Sequence, residues 1–302
     1  MKVGSSFKKL ALAAGMVLAT QAHSIGLPLE DYNLIVAGDY THEGGSVWGS
    51  AFIGGNLLGG ASEFASRIVD AEMDSLKVVG EITASHVKVQ TGNLVVKNKS
   101  NISTTSTVEI QNHSSEIVED AGLSIASVMA DLQAASSNYQ GMASNASFSN
   151  GKFSYSGTDK IAVYNANADE LFGKDFNFDF SAVSADNLII NVSGKDISAD
   201  KFNMNPGPYA ASKILWNFYQ AEDITVNRSI LGSLLAVNAY IDLNARVDGS
   251  VAAGSLATSA QIHNWNFEQV VSPVPLPGTL ILLGSVLLGF GAYRRRVMKK
   301  TA

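Results

Sequence analysis

Cysteine is absent from this 302-residue chain. Without thiols the chain cannot form disulfides, iron–sulfur clusters or cysteine-bound zinc sites, and it offers no thiol nucleophile. A domain without disulfides must be stabilised by its core and its hydrogen bonds. The roughly 246 residues of 25–270 are sufficient for one sizeable core.

Motifs of the common enzyme classes are also absent. The sequence has no His-Glu-x-x-His pair, no phosphate-binding Gly-Lys-Ser/Thr loop and no Gly-x-Ser-x-Gly nucleophile turn, and its five histidines are scattered. We therefore predict no catalytic residue, no cofactor, no metal site and no enzymatic activity. The alternative function is a carbohydrate-active β-helix enzyme, a polysaccharide hydrolase or lyase, whose candidate carboxylates are Asp39, Asp242 and Asp248. Ice binding would require a regular threonine ladder, and Thr104, Thr105 and Thr107 do not recur at a coil period.

Basic residues are few outside the two ends of the chain. The chain has 21 Lys and Arg and 27 Asp and Glu, and eight of the cations lie in 1–24 and 271–302, which contain no acid. Residues 25–270 therefore carry 13 − 27 = −14. Such a surface repels nucleic acid and anionic lipid, so we expect neither as a partner of this region. Neutral glycans and divalent cations remain open as ligands.

Both termini show patterns of export. Residues 1–24 have a basic start, an apolar run over 10–20 and small residues at Ala22 and Ser24, which predicts a signal peptide with a helical core. At the other end, three prolines precede an uncharged run from Gly278 to Tyr293. We expect a transmembrane helix over about 277–293 and a basic tail over 294–300 that holds its end at an anionic, cytoplasmic face.

The C-terminal pattern resembles a PEP-CTERM-type sorting signal in its Val-Pro-Leu-Pro variant. The residues that carry the resemblance are Val274, Pro275, Leu276, Pro277, Arg294, Arg295 and Arg296. The commonest form of this signal has an acidic residue where Leu276 stands. The resemblance implies that the secretion machinery exports the chain, that segment 271–302 holds it in the inner membrane, and that an exosortase-type enzyme then processes it.

The region between the termini is typical of β structure. Apolar residues alternate in short runs such as 87–89 and 94–96, with Gly- or Asn-containing turns between them. One segment has a different period, because apolar residues between 115 and 137 recur at steps of three and four. This spacing predicts one amphipathic helix over about 115–137 that packs along the side of the β structure.

A short phrase recurs at three places, Ser46–Leu57, Ser229–Ile241 and Arg246–Leu256. In each copy Gly-Ser follows a β-branched residue and one variable residue, so Gly49, Gly232 and Gly249 are equivalent. Such a repeat predicts stacked coils in which glycine allows tight corners. We predict a mainly β fold, a right-handed parallel β-helix or solenoid-like domain with one flanking helix. A β-sandwich is the alternative.

The same region is similar to the choice-of-anchor A family of bacterial surface proteins. The matching positions are Gly38, Asp39, Gly49, Gly54, Gly55, Asn56, Trp216, Asn217, Phe218, Gly232, Asn238 and Gly249. The resemblance implies an adhesive β domain over 25–270 with no catalytic site, joined to a separate anchor. We therefore expect an exported adhesin of the cell surface or extracellular matrix, with a surface glycan or extracellular polymer as a possible ligand.

Overall fold

The computed structural model describes residues 27–205 and 211–270. The predicted signal peptide and the predicted transmembrane helix over 277–293 lie outside these residues. Within the described ranges, no helix is long and apolar enough to cross a membrane.

The first half of the domain winds from the middle of a solenoid towards one end. After a short helix α1 (Pro28–Asp31), its strands are β1 (Leu34–Val36), β2 (Tyr40–His42), β3 (Ala51–Ile53), β4 (Leu57–Gly59), β5 (Ala61–Phe64), β6 (Asp74–Val78), β7 (His86–Val89), β8 (Asn93–Val96), β9 (Thr107–Ile110) and β10 (Ile117–Glu119). Strands β1, β3, β6, β8 and β10 pair in parallel in that order. Each coil therefore adds one rung to the same sheet.

The second half begins with a helix and returns from the opposite end. Its elements are α2 (Ala126–Gln140), β11 (Ser147–Ser149), β12 (Lys152–Tyr155), β13 (Ile161–Asn167), α3 (Ala168–Phe172), β14 (Phe176–Val183), β15 (Asn187–Ser193), β16 (Asp196–Ala199), β17 (Phe202–Asn205), β18 (Ile214–Asn217), β19 (Asp223–Val226), β20 (Ile230–Leu231), β21 (Ser233–Leu243), β22 (Val247–Asp248), β23 (Val251–Thr258) and β24 (Ile262–His263). Strand β23 pairs in parallel with β1. The last coils therefore lie beside the first.

The coils form three faces. The helix face, which α2 covers, has the strand order β10-β8-β6-β3-β1-β23-β21-β18-β15-β13. The open face consists of β16, β19, the second halves of β21 and β23, β2 and β4. The third face contains the sheets β5-β7-β9, β20-β22-β24 and β11-β12-β14-β17. Between described strands only the β11–β12 pairing is antiparallel, so the β-sandwich alternative, which requires antiparallel sheets, is wrong.

Apolar rows fill the interior because successive strands are in register. One row inside the open face joins equivalent positions of five coils, namely Tyr40, Leu256, Ile241, Ile224 and Ile197. All of these side chains are buried. In the second half of the domain, Phe178 and Phe180 of the Phe-Asn-Phe-Asp-Phe run pack around Trp216. These aromatic residues are core residues, as their alternation predicts.

The flanking helix is confirmed, but its predicted start at 115 is wrong. Residues Ile117–Glu119 form β10 and pair with β8, and α2 begins only at Ala126. The β-branched Ile117 and Val118 add a strand to the sheet edge, and Gly122 follows them in the turn to the helix. The helix buries Leu132 and Tyr139 against the helix face. The apolar residues spaced three and four apart therefore lie partly in a strand and a turn and only partly in the helix.

Candidate functional site: the open face

Four of the predicted motif residues, namely Gly38, Asp39, Gly55 and Asn56, shape one corner of the open face. The Asp39 carboxylate accepts a hydrogen bond from the backbone N–H of Asn56 at 2.7 Å, and the Asn56 side-chain oxygen accepts one from the N–H of Glu81 at 2.8 Å. At the same corner a Cβ added to Gly55 would lie 2.4 Å from the carbonyl carbon of Gly38. This corner repeats from coil to coil, with side chains capping backbone groups that the tight turn leaves unpaired.

The repeated glycines lie where neighbouring coils stack closely. Gly232 and Gly249 each precede the aligned residues Leu234 and Val251 by two positions, and a Cβ on Gly249 would lie 2.5 Å from the backbone of Gly232. Gly49 precedes Ala51, which aligns with Leu34 of the intervening coil. Gly232 also has a positive φ of 106°, a conformation that favours glycine. At Gly54 a Cβ would lie 2.3 Å from the Ala37 carbonyl oxygen.

The matching positions from Trp216 to Gly249, here called the closing motif, include a structural part that lies under α2. Trp216 is fully buried and its indole N–H donates to the Leu231 carbonyl at 2.9 Å, while Phe218 packs in the same core. The Asn217 amide donates to Asn191 at 2.8 Å and to the Ser136 carbonyl of α2 at 2.9 Å. Asn238, by contrast, is exposed on β21.

Hydroxyl, carboxylate and small side chains form two rows across the open face. The strand registers align Asp196, Asp223, Tyr240 and Ser255 in one row, and Ser198, Thr225, Asp242, Ala257, Thr41 and Leu58 in the other. Neighbouring strands place such residues ~4.8 Å apart. No sequence motif identified Asp223, Tyr240 or Thr225, because their common row exists only through the register of distant coils.

The open face is acidic. Tyr240 is 44% exposed, and partial burial, followed by the negative charges of Asp242, Glu43 and Asp223, raises the pKa of its hydroxyl above the ordinary value. Lys195, at the end of this face, forms an ion pair with Glu222. The face therefore presents hydroxyl groups and negative charge over a broad surface.

The three candidate catalytic acids lie in different parts of the fold. Asp39 is at the corner before β2, Asp242 is on the open face and Asp248 is in β22 of the third face. Asp248 contacts the Nε of Arg246 at 3.1 Å and the Nδ1 of His263 at 2.7 Å, and Asp242 accepts from the Asn244 amide at 3.0 Å. Paired carboxylate catalysis requires two carboxyl groups flanking one bond, and these acids are not brought together. In the described ranges, no group of three His, Asp or Glu residues could hold a metal ion.

The stacked coils, the external helix packed on them and the open polar face define this protein as a parallel β-helix with one broad, exposed polar surface. The family model described as "Putative Ice-binding-like adhesive domain" matches residues 26–264. The chain therefore belongs to this family, whose description refers to adhesion and not to a reaction. A search of curated proteins finds no match.

The solved structures to which this chain is similar include several ice-binding proteins. The ice-binding protein of the Antarctic ascomycete Antarctomyces psychrotrophicus is 11% identical, with 79% of this chain and 97% of that chain covered and a TM-score of 0.30. The ice-binding protein LeIBP of an Arctic yeast is 12% identical, with 83% and 97% covered and a TM-score of 0.33. An ice-binding protein from an Antarctic biological consortium is 13% identical, with 79% and 89% covered and a TM-score of 0.32.

The C-terminal sorting signal is confirmed as a motif. Residues 273–296 match the PEP-CTERM protein-sorting motif, a range that includes the Val-Pro-Leu-Pro segment and the three arginines. The motif implies processing by exosortase-type machinery. Together with the adhesive domain, it indicates an exported cell-surface protein.

Proposed function

We propose that this protein is a non-enzymatic adhesin of the cell surface or extracellular matrix. The observation that carries the proposal is the presence of an ice-binding-like adhesive domain and a PEP-CTERM motif on one chain. In this proposal residues 1–24 are a signal peptide, 25–270 the adhesive domain and 271–302 the sorting segment. Membership of the choice-of-anchor A family is part of the proposal and rests on the motif residues quoted above.

The open face is the proposed adhesive surface. Its two rows offer hydroxyl and carboxylate groups on a rigid sheet, where their spacing is set by strand pairing. A surface of this kind engages an extended ligand through many weak contacts, so affinity comes from repetition. Its negative charge favours neutral glycans, or polymers bridged by divalent cations, over anionic partners. Ice is not the proposed ligand, because Asp242, Ala257 and Leu58 interrupt the hydroxyl row.

The sorting segment supplies the location. In the proposal, a helix over about 277–293 holds the chain in the inner membrane after export, and an exosortase-type enzyme recognises Val274–Pro277 and Arg294–Arg296 and processes the segment. The domain is then displayed at the envelope or released to the extracellular matrix. The membrane contact therefore belongs to the tail and is temporary.

Cell attachment tests the adhesive surface. We expect Thr225→Tyr, which places a bulky ring in the middle of the open face, to weaken attachment to polysaccharide-coated surfaces by about tenfold, or ~1.4 kcal/mol. Attachment is measured under flow with cells that display the full chain, after surface amounts are equalised by antibody labelling. The matched control is Thr107→Tyr, because Thr107 is exposed on β9 of the third face. Equal attachment by the two variants would overturn the assignment of the open face.

A further inference from the structure

A polar groove lies away from the open face, where the beginning of the described chain meets its end. Its volume is about 510 Å³, and its walls come from α1, Ser212 and the segment 264–269. The lining side chains that matter are Glu30, Asn264, Trp265, Asn266, Glu268 and Gln269. Trp265 is 55% exposed, whereas Trp216 is fully buried, so the Trp265 indole is available to a ligand.

Hydrogen bonds hold the walls of this groove in place. The Glu30 carboxylate accepts from the Gln269 N–H at 2.9 Å, and the Glu30 carbonyl accepts from the Asn266 amide at 2.9 Å. The Gln269 side chain donates to the Tyr139 hydroxyl of α2 at 2.9 Å. The backbone N–H of Trp265 donates to the His263 carbonyl at 2.8 Å. The polar groups of the groove are therefore positioned before any ligand arrives, which lowers the entropy cost of binding.

One polar atom in the groove wall lacks a protein partner. The Asn266 side-chain oxygen is buried without a hydrogen bond, a state that costs free energy unless a water or a ligand donates to it. Burial raises the pKa of the Glu30 carboxyl above its ordinary value, although the Gln269 N–H opposes the shift, and the neighbouring Asp31 and Glu268 raise it further. A cationic group in the groove would favour the charged form of the Glu30 carboxyl.

The chemistry of the lining selects a class of ligand. An exposed indole offers a flat, electron-rich face to the C–H groups of a pyranose ring, and planar amide and carboxylate groups match neighbouring hydroxyls. Two carboxylates line the groove and no Lys or Arg does, so acidic sugars are disfavoured and an ammonium group is favoured. We propose that this groove binds an amino-sugar unit with a free ammonium group, within a surface polysaccharide.

This groove is separate from the open face and depends on the proposed function only for the location of the domain outside the cell. The test uses the purified full-length chain in detergent and three hexasaccharide probes that differ at C2, namely β-1,4-linked glucosamine, N-acetylglucosamine and glucose. Affinities are measured by titration calorimetry. We expect the glucosamine hexamer to bind at least about tenfold more tightly than the other two at low salt.

Three variants locate the binding. Trp265→Ala should weaken glucosamine-hexamer binding by about tenfold or more, and Glu268→Gln should remove most of the preference over the N-acetylated probe. Val69→Ala is the control, since Val69 is an exposed apolar residue that lies outside both the groove and the open face. Because Trp265 is half exposed, the melting temperature should be unchanged, which excludes a folding defect.

The outcomes separate the two proposals. Equal binding of the three probes, unchanged affinity in Trp265→Ala, or an equal loss in Val69→Ala would overturn the amino-sugar groove. Such a result leaves the attachment test intact, because that test reads the open face through Thr225. If Thr225→Tyr attaches as well as Thr107→Tyr while the glucosamine hexamer binds normally, the adhesive role of the open face is overturned instead.

Discussion

At the scale of single residues, the stacking of coils depends on positions that have no room for a side chain. Gly249 faces the backbone of Gly232, and Gly55 faces that of Gly38. In the sequence, Gly232 and Gly249 are recognisable only as equivalent positions of a repeated phrase. Their role follows from the register, because only stacked coils bring residues that are 17 apart into contact.

Gly249→Ala tests this close approach. An added Cβ would lie 2.5 Å from Gly232, so the coils must shift, and we expect the free energy of unfolding to fall by about 1–3 kcal/mol. Gly60→Ala is the control, because its Cβ would meet only the His42 carbonyl oxygen at 3.7 Å, and it should change stability by less than about 0.5 kcal/mol. Equal denaturation midpoints for the two variants would contradict the proposed packing.

His42 makes the domain sensitive to acid. Burial lowers its pKa below the ordinary value of 6.5, although a Gly45 backbone hydrogen bond opposes the shift. Burial also raises the pKa of Tyr40, and its hydroxyl shares a hydrogen bond of 2.8 Å with the His42 Nδ1. The folded state therefore favours neutral His42, whereas the unfolded chain takes up a proton below about pH 6.5.

The sign of the pH effect follows from this difference. The contribution of His42 is fully present above pH 6.5 and is lost as the pH falls from there towards the lower folded-state pKa, with a slope of at most about 1.4 kcal/mol per pH unit. We expect His42→Gln to flatten the decline in urea midpoint between about pH 7 and 5. His113→Gln, at an exposed position, should keep it. An unchanged decline in His42→Gln would show that other groups cause it.

At the scale of elements, the helix shows the limit of periodicity. The residues before Ala126 have helical spacing, but β-branched Ile117 and Val118 pair with β8. Whether a segment adds to a sheet edge depends on the strand already present there, which local spacing does not contain.

A row of asparagines, of which Asn191 and Asn217 are buried, attaches α2 to the sheet. The Asn217 amide donates to Asn191, the Asn191 amide donates to the exposed Asn165, and the Ser136 hydroxyl donates to the Asn217 oxygen at 2.6 Å. Asn217→Ala would leave the buried partners on α2 and β15 unsatisfied. We expect it to reduce the free energy of unfolding by about 2–4 kcal/mol.

Asn238→Ala provides the comparison in the same closing motif. Because Asn238 is exposed, its removal should change the unfolding free energy by less than about 0.5 kcal/mol. Hydrogen exchange of α2 amides gives a second readout, since loosening of the helix in Asn217→Ala should raise exchange there first. Similar unfolding free energies for the two variants would refute the attachment role.

At the scale of the whole molecule, the domain is built from two series of coils that meet in the middle. Leu34 aligns with Val251, although 217 residues separate them, and Asn33 donates to the Gly249 and His263 carbonyls at 3.0 Å. The described chain therefore begins and ends in the same region of the fold. Folding requires these distant segments to pair. Because the loop closed by this pairing contains most of the described chain, the central strand pairs have the largest cost in conformational entropy.

The tail prediction belongs to this scale. Deleting 274–302 removes most of the sorting motif and leaves every described residue in place, so we expect most of the domain to move from the membrane fraction to the medium. Immunoblots of membrane, envelope and medium fractions measure the change. Leu276→Glu, which introduces the acidic residue of the commonest motif form, is the control and should be processed as the unaltered chain is. Undiminished membrane retention of the deleted chain would contradict the anchoring role.

The sequence by itself determined the class of fold and the sorting motif. Alternating apolar residues, recurring Gly-Ser phrases and the absence of cysteine predict a solenoid that is stabilised by its core, because these features act through local geometry and burial. The C-terminal motif is equally local. Asp39 and Asn56 were singled out by the resemblance to the choice-of-anchor A family, and only the structure shows their hydrogen bonds at the corner.

Tertiary structure alone decided the order of the coils, the start of α2 and the composition of each face. Asp223, Tyr240 and Thr225 become one surface only when strands from distant coils come into register, and the groove at Trp265 exists only because α1 meets the segment 264–269. Such surfaces depend on pairings between distant segments. A one-residue change of register would turn every side chain of a strand to the opposite side, so no local pattern specifies them.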